Sequence, residues 1–254
     1  MLPMVNGACP NIASGPVSVT VNGKAMPWTM WVGAGGGGPV VIYWHGTATN
    51  GQEAVSALGA AAIAEVTSQG GVIAAAEVTS GTGANTGDFV WTTGDVDYAD
   101  QIIACAHEKK MIDPHRIHTA GYSAGGLQAV YMWYARSGYI ASVTSYSGGA
   151  AFINQGPLQD PSNLAPAIAA HGAAGVDTLV LDFAAQSKTW ETDVKAKGGF
   201  IIDCNDGSNH LDFAKRFAIA PQVWKFFKDH PFKVGPPEPY TSLPGFPTYC
   251  QIVN

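Results

Sequence analysis

The sequence predicts an α/β fold, a mostly parallel sheet with helices on both faces. Short, almost wholly apolar runs such as Pro39–Trp44 and Val72–Val78 read as strands buried on both sides. Longer segments of helical character separate them, so that strand alternates with helix from Pro39 to Asp229. The 254 residues, 46% of them hydrophobic and 13% charged, suit one large domain or two small ones, and no linker or internal repeat divides them. We therefore expect a single domain over residues 1–254, with a hairpin and Gly-rich turn at 1–38 and a Pro-rich tail at 231–254.

Val17–Val21 and Met26–Val32 flank Asn22-Gly23, the strongest two-residue hairpin signal. Gly33, Gly35 and Gly38 satisfy G-x-G-x-x-G, but Pro39 and a strand follow where a dinucleotide site needs a helix. The run is read as a flexible turn. Gln52–Ser68 is an Ala-rich helix, Val72–Val78 a strand, and Thr79–Gly94 a polar loop carrying Phe89, Val90 and Trp91. Asp95–Lys110 has acids in its first turn and lysines in its last, as the helix dipole favours. The strand Arg116–Tyr122, helix Ala124–Ser137 and strands Ile140–Ser145 and Ala165–Ala170 follow. A helix near Phe183–Lys197, the strand Gly199–Cys204 and a helix over Leu211–Asp229 complete the series. Six prolines in Pro231–Asn254 predict an extended surface tail.

Thirteen basic residues against nineteen acidic, with no basic cluster, exclude a nucleic-acid partner. No apolar run approaches the ~20 residues of a membrane span. Cys9, Cys105, Cys204 and Cys250 match no zinc pattern. Their even number in a chain poor in Lys and Glu fits an exported protein with up to two disulfides. Three pairings are open, and the competing reading leaves Cys105 a buried thiol. Met1–Pro10 lacks the character of a signal peptide, so the chain is read as mature or trimmed.

Gly121-Tyr122-Ser123-Ala124-Gly125 is a G-x-S-x-G element between a predicted strand and a predicted helix. A nucleophilic serine on so sharp a turn needs glycines where side chains would collide with neighbouring elements. Ser123 then has the Ala124 N–H beside it as an oxyanion donor. Ser145-Tyr146-Ser147-Gly148-Gly149 imitates the motif, but no long helix follows it, and Ser147 is read as structural. A second oxyanion donor is expected from the loop after Val40–Trp44, where His45-Gly46-Thr47 nominates the Thr47 N–H. His45 precedes the serine, the wrong order for a base, and is read as a buttress of that loop.

These residues resemble the α/β-hydrolase superfamily, within it exported esterases similar to polyhydroxybutyrate depolymerases and to feruloyl or acetylxylan esterases. Trp44-His45-Gly46-Thr47, Asp113-Pro114-His115-Arg116-Ile117 leading into Gly121–Gly126, His171-Gly172 and His210 carry the likeness, which covers roughly Val40 to Asp229. The superfamily order of serine, acid, histidine implies His210 as base, just beyond the last parallel strand. His107, His115 and His118 precede Ser123, and His230 lies past the last helix. His115 and His118, three apart, are assigned to solvent or packing rather than to a metal. The acid should follow Ala165–Ala170. Asp177 is preferred because Leu179–Phe183 reads as helix already begun, with Asp182 the alternative. Asp203 and Asp206 sit too near His210 for the usual geometry.

The resemblance implies acyl transfer at Ser123 with no cofactor and no metal. The interval from Gly148 to Ala165 is too short for a lid domain, which leaves the serine open to bulky or polymeric esters. Trp91 and Tyr122, with His45, are the candidate substrate contacts. A secreted monomer acting on ester substrates is the resulting expectation. The competing classes are a non-catalytic binding protein on the same fold and a serine peptidase.

Overall fold

Residues 1–77, 90–150, 155–233 and 240–254 are described in a computed structural model. The chain opens with β1 (Gly15–Val21) and β2 (Lys24–Val32), antiparallel across Asn22 and Gly23. Both turn residues take positive φ, +50° and +76°, as a two-residue hairpin turn that follows strand twist requires. Next come β3 (Val40–Trp44), β4 (Val72–Ala76), β5 (Ile117–Tyr122), β6 (Ser142–Tyr146) and β7 (Ala167–His171), each buried at every position. β8 (Ile201–Asn205) and β9 (Cys250–Ile252) complete a sheet ordered β1-β2-β4-β3-β5-β6-β7-β8-β9. β3 to β8 run parallel, while β2 and β9 join the sheet antiparallel.

Side chains along the parallel strands point alternately into two cores, which explains the unbroken apolar runs. Val40, Ile42 and Trp44 pack with buried residues of α3 (Val96–Lys110), α4 (Ala124–Ala135) and α5 (Phe183–Ala196). Val41 and Tyr43 face α1 (Glu53–Leu58), α2 (Ala60–Ser68) and α7 (Ala220–Asp229). The Gly33–Gly38 run is closely packed rather than a free turn: a Cβ on Gly38 would lie 2.2 Å from the Gly71 nitrogen.

Four expectations are corrected. The helix over 52–68 is two helices, because Gly59 at φ +85° turns the chain where α1 ends on the Val55 carbonyl. The last helix is three pieces, α6 (Phe213–Arg216), a 3-10 turn Phe217–Ile219 and α7. Pro221, lacking an N–H, can only stand in the first turn of a new helix. Leu179–Leu181 are not helical, and Asp182 caps α5 by accepting from the Ala185 N–H. The Pro-rich tail ends as a strand paired to β8. The reading of Val78, the loop portion through Phe89, and Pro236, Pro237 and Pro239 lies outside the described residues. Among the described residues of 147–166 there is no helix, and no described helix is long and apolar enough to cross a membrane.

Cys9 pairs with Cys105 and Cys204 with Cys250, so Cys105 is not a thiol. The first bridge ties the N-terminal segment to α3, and the second joins residues directly opposite each other on β8 and β9. Replacing either pair by serines should cost about 2–4 kcal/mol in urea unfolding. The bridge spanning 96 residues should cost more than the one spanning 46, and excess dithiothreitol should remove the difference from wild type.

Candidate active site

β5 runs into α4 through Ser123 alone, whose backbone sits at φ +55°. The glycines explain how the turn closes. A Cβ on Gly121 would lie 2.1 Å from the Gly125 oxygen, and one on Gly125 only 1.8 Å from the Trp44 oxygen. The Ser123 N–H donates to Tyr146 on the adjacent strand at 2.9 Å.

His210 lies in the loop after β8, and Asp177 in the loop after β7. His210 Nε2 is 2.9 Å from Ser123 Oγ, and its Nδ1 is 2.8 Å from Asp177 Oδ1. With Nδ1–H donating to the carboxylate, the Nε2 lone pair faces the serine hydroxyl. An imidazole held this way can accept the hydroxyl proton. The Tyr122 hydroxyl donates to the His210 carbonyl, and Phe183 stacks on the ring at 4.1 Å. Asp182, the alternative acid, is occupied as the α5 cap and by the Gly175 N–H.

Asp177 is fully buried, and its Oδ2 accepts from the Gly172 N–H at 2.9 Å, Ser147 Oγ at 3.0 Å and Arg216 at 3.0 Å. Arg216, 1% exposed, also binds Asp206 through Nε at 2.7 Å. Burial pushes the Asp177 carboxyl up, but the His210 hydrogen bond, the Arg216 charge and the Gly172 N–H outweigh it and hold it below the usual range. Neither Arg216 nor the role of Ser147 was foreseen from sequence. No motif signals Arg216. Ser147 did leave a signal, because Gly121-Tyr122 and Ser145-Tyr146 pair in register on neighbouring strands, which brings the imitation motif beside the original.

The loop after β3 is set by Glu53, another residue not foreseen. Its carboxylate accepts from the Gly46 N–H at 3.1 Å, Tyr43 at 2.8 Å and Thr49 at 2.7 Å, and burial holds it above its ordinary value despite these donors. Thr47, Ala48 and Ala124 line a cavity of about 460 Å³ with Ser123 and His210. Its other walls are apolar, among them Val90, Leu127, Leu179, Val180 and Phe213.

Tyr122 lines this cavity, but two of the proposed substrate contacts do not. Trp91 is 1% exposed, sits edge-on to Trp44 and donates to the His45 carbonyl. Its neighbour Val90 does reach the cavity. His45 is buried with Nδ1 on the Gly46 carbonyl, and it buttresses the loop. Of the other histidines, His118 is buried on Ser142 and stacked on Phe227, its pKa lowered by burial to about 3. His115 lies at the surface beside the Phe232 carbonyl, and His230 is bonded to Phe226. Asp203 lies 2.9 Å from His171, away from His210.

No protein-family model matches the sequence, and no curated protein does. Solved structures do match in three dimensions. A serine-to-alanine variant of a protein designated pOPH, in complex with pNPB, has a TM-score of 0.67 over 98% of this chain and 97% of that one at 15% identity. The fold is that of the α/β-hydrolases. A Pyrobaculum calidifontis esterase follows at TM-score 0.60, 14% identity and 84% coverage of each chain. A Pyrococcus horikoshii acylaminoacyl peptidase matches 90% of this chain but only 42% of its own length, at TM-score 0.59 and 14% identity. At such identities the likeness is one of fold.

Arg216→Met would leave Asp177 and Asp206 buried without their shared cation, and urea unfolding should show a loss of about 3–5 kcal/mol. Because the folded pKa of Asp177 lies below the unfolded one, its stabilisation is present above about pH 4 and is lost as pH falls through the folded value. Urea midpoints measured into acid should therefore fall less steeply for Asp177→Asn than for wild type.

Proposed function

We propose that the chain is a serine carboxylic-ester hydrolase acting as one catalytic domain. The observation that carries this reading is the hydrogen-bonded series Ser123–His210–Asp177 opening on an apolar cavity. His210 Nε2 takes the Ser123 proton as Oγ attacks the ester carbonyl, and the Thr47 and Ala124 N–H groups receive the oxyanion. Asp177 holds the imidazole tautomer and stabilises its cationic form. The tetrahedral intermediate collapses, the protonated His210 gives its proton to the departing alkoxide, and the acyl group stays on Ser123. Water, deprotonated by His210, then releases the acid by the same steps. Nothing in this sequence of steps calls for a cofactor.

The acyl group is assigned to the cavity wall of Leu127, Leu179, Val180 and Phe213, which offers contact area and few polar partners. Leu179, Val180 and Leu211 are exposed at 60%, 76% and 60%, so the rim is apolar too. That rim suits esters presented on a polymer, a polyester or an acylated cell-wall polysaccharide, met outside the cell by a monomer. The two disulfides support an oxidising compartment. The Pyrobaculum calidifontis esterase among the structural neighbours supports an ester substrate. The acylaminoacyl peptidase neighbour, of whose length the match covers 42%, keeps a peptidase as the second reading.

A fluorophosphonate probe should label the wild type and not Ser123→Ala, and an unlabelled wild type would overturn the reading. On p-nitrophenyl esters Ser123→Ala should lose about 10⁴-fold or more in kcat, with butyrate preferred to acetate. Methyl ferulate, acetylated xylan and polyhydroxybutyrate film separate the ester classes. Failure on all of them together with cleavage of acyl-peptides would favour the peptidase.

A further inference from the structure

We propose that His171, Glu191 and Asp203 form a binding site for one divalent ion of the zinc and cobalt class, separate from the Ser123 site and independent of the reaction assigned to it. His171 ends β7, Glu191 stands on α5 and Asp203 on β8, and all three are buried. Nε2 of His171 lies 2.9 Å from Asp203 Oδ1 and 3.6 Å from Glu191 Oε1, and the three atoms lie within 4.8 Å of one another. Two ligands of a tetrahedral ion at about 2.1 Å stand about 3.4 Å apart, between those two separations.

The second observation is that none of these three buried atoms makes a hydrogen bond. Close as Nε2 is to Asp203, its in-plane direction passes beside the oxygen rather than at it. A protonated imidazole fully paired with a carboxylate would aim its N–H at an oxygen, and this ring aims at neither. Nδ1 is 2.7 Å from the Gly172 carbonyl and its N–H donates there, so Nε2 is the nitrogen open to an ion that displaces any proton on it. One imidazole and two carboxylates suit zinc-class ions better than calcium, which prefers more oxygens.

Lys188 holds the outer oxygens, Glu191 Oε2 and Asp203 Oδ2, from a side chain 48% exposed. It competes with the ion and, by swinging into solvent, opens the way in. Binding then exchanges the ammonium, and any proton on Nε2, for the ion, so two carboxylates and one dication balance. The ion would tie α5 to β7 and β8, next to Gly172, whose N–H holds Asp177.

The test is titration of chelator-treated full-length protein with Co²⁺, read by visible absorption and calorimetry, with Zn²⁺ as competitor. Every cysteine is in a disulfide, so the cobalt spectrum should show ligand-field bands without thiolate charge transfer. One equivalent should bind and raise Tm by about 5 °C or more at a hundredfold excess over Kd. Asp203→Asn and Glu191→Gln should abolish uptake, and Lys188→Met, a change at a half-exposed position, should tighten it about tenfold. A wild type that takes up no stoichiometric ion overturns the proposal. So does uptake undiminished in the two carboxylate variants, or uptake by Lys188→Met no tighter than wild type.

Discussion

The contact on which the site depends is that between the β5–α4 turn and the end of β3. Gly125 rests against the Trp44 carbonyl and Gly121 against Gly125, with no room for a side chain at either position. That contact holds Ser123 at φ +55°, a conformation that costs an L-residue about 1–2 kcal/mol and persists because packing on both sides over-determines it. It also brings the loop after β3, with Thr47, against the start of α4, so the proposed nucleophile and the proposed oxyanion donors share one origin.

The two sides of the cavity are organised by one device used twice. His45-Gly46 follows β3 and His171-Gly172 closes β7; in each, histidine Nδ1 meets the carbonyl of the following glycine at 2.7 Å. In each, the glycine N–H donates to a carboxylate, half-buried Glu53 on one side and buried Asp177 on the other. Acids withdrawn from water in this way are costly unless hydrogen-bonded, and both are. Glu53 has neutral donors only and stays above its ordinary pKa, whereas Asp177 has Arg216 and His210 and falls below it. Arg216 further links Asp177 to Asp206, so the loops after β7 and β8 meet on one guanidinium, and Ser147 of the loop after β6 joins them through Asp177. Such a network gives a single geometry more than it gives stability.

The sheet edges are managed covalently. β9 covers the open side of β8 with three residues, too few to hold by hydrogen bonds alone, and the Cys204–Cys250 bridge binds it there. The prolines before it lack the N–H that a sheet ladder needs, which is why the sequence suggested no strand in this segment.

The sequence by itself determined what depends on neighbours in the chain. Apolar runs announced strands buried on both faces, Asn22-Gly23 announced the hairpin, and Gly121-x-Ser123-x-Gly125 announced the turn, because each is a local steric or hydrophobic requirement. Chain order nominated His210 and Asp177. Gly59 and Pro221 are helix breakers that the reading of 52–68 and 211–229 as single helices passed over. Only the tertiary structure decided which groups share a buried charge. Arg216, Ser147 and Glu53 carry no local signature, since their partners lie on other loops and electrostatic pairing ignores sequence distance. The same holds for Trp91, whose aromatic ring suggested a surface contact until packing against Trp44 placed it inside. Cysteine pairing was open for the same reason, as a disulfide joins residues by proximity in space, and proximity is what folding supplies.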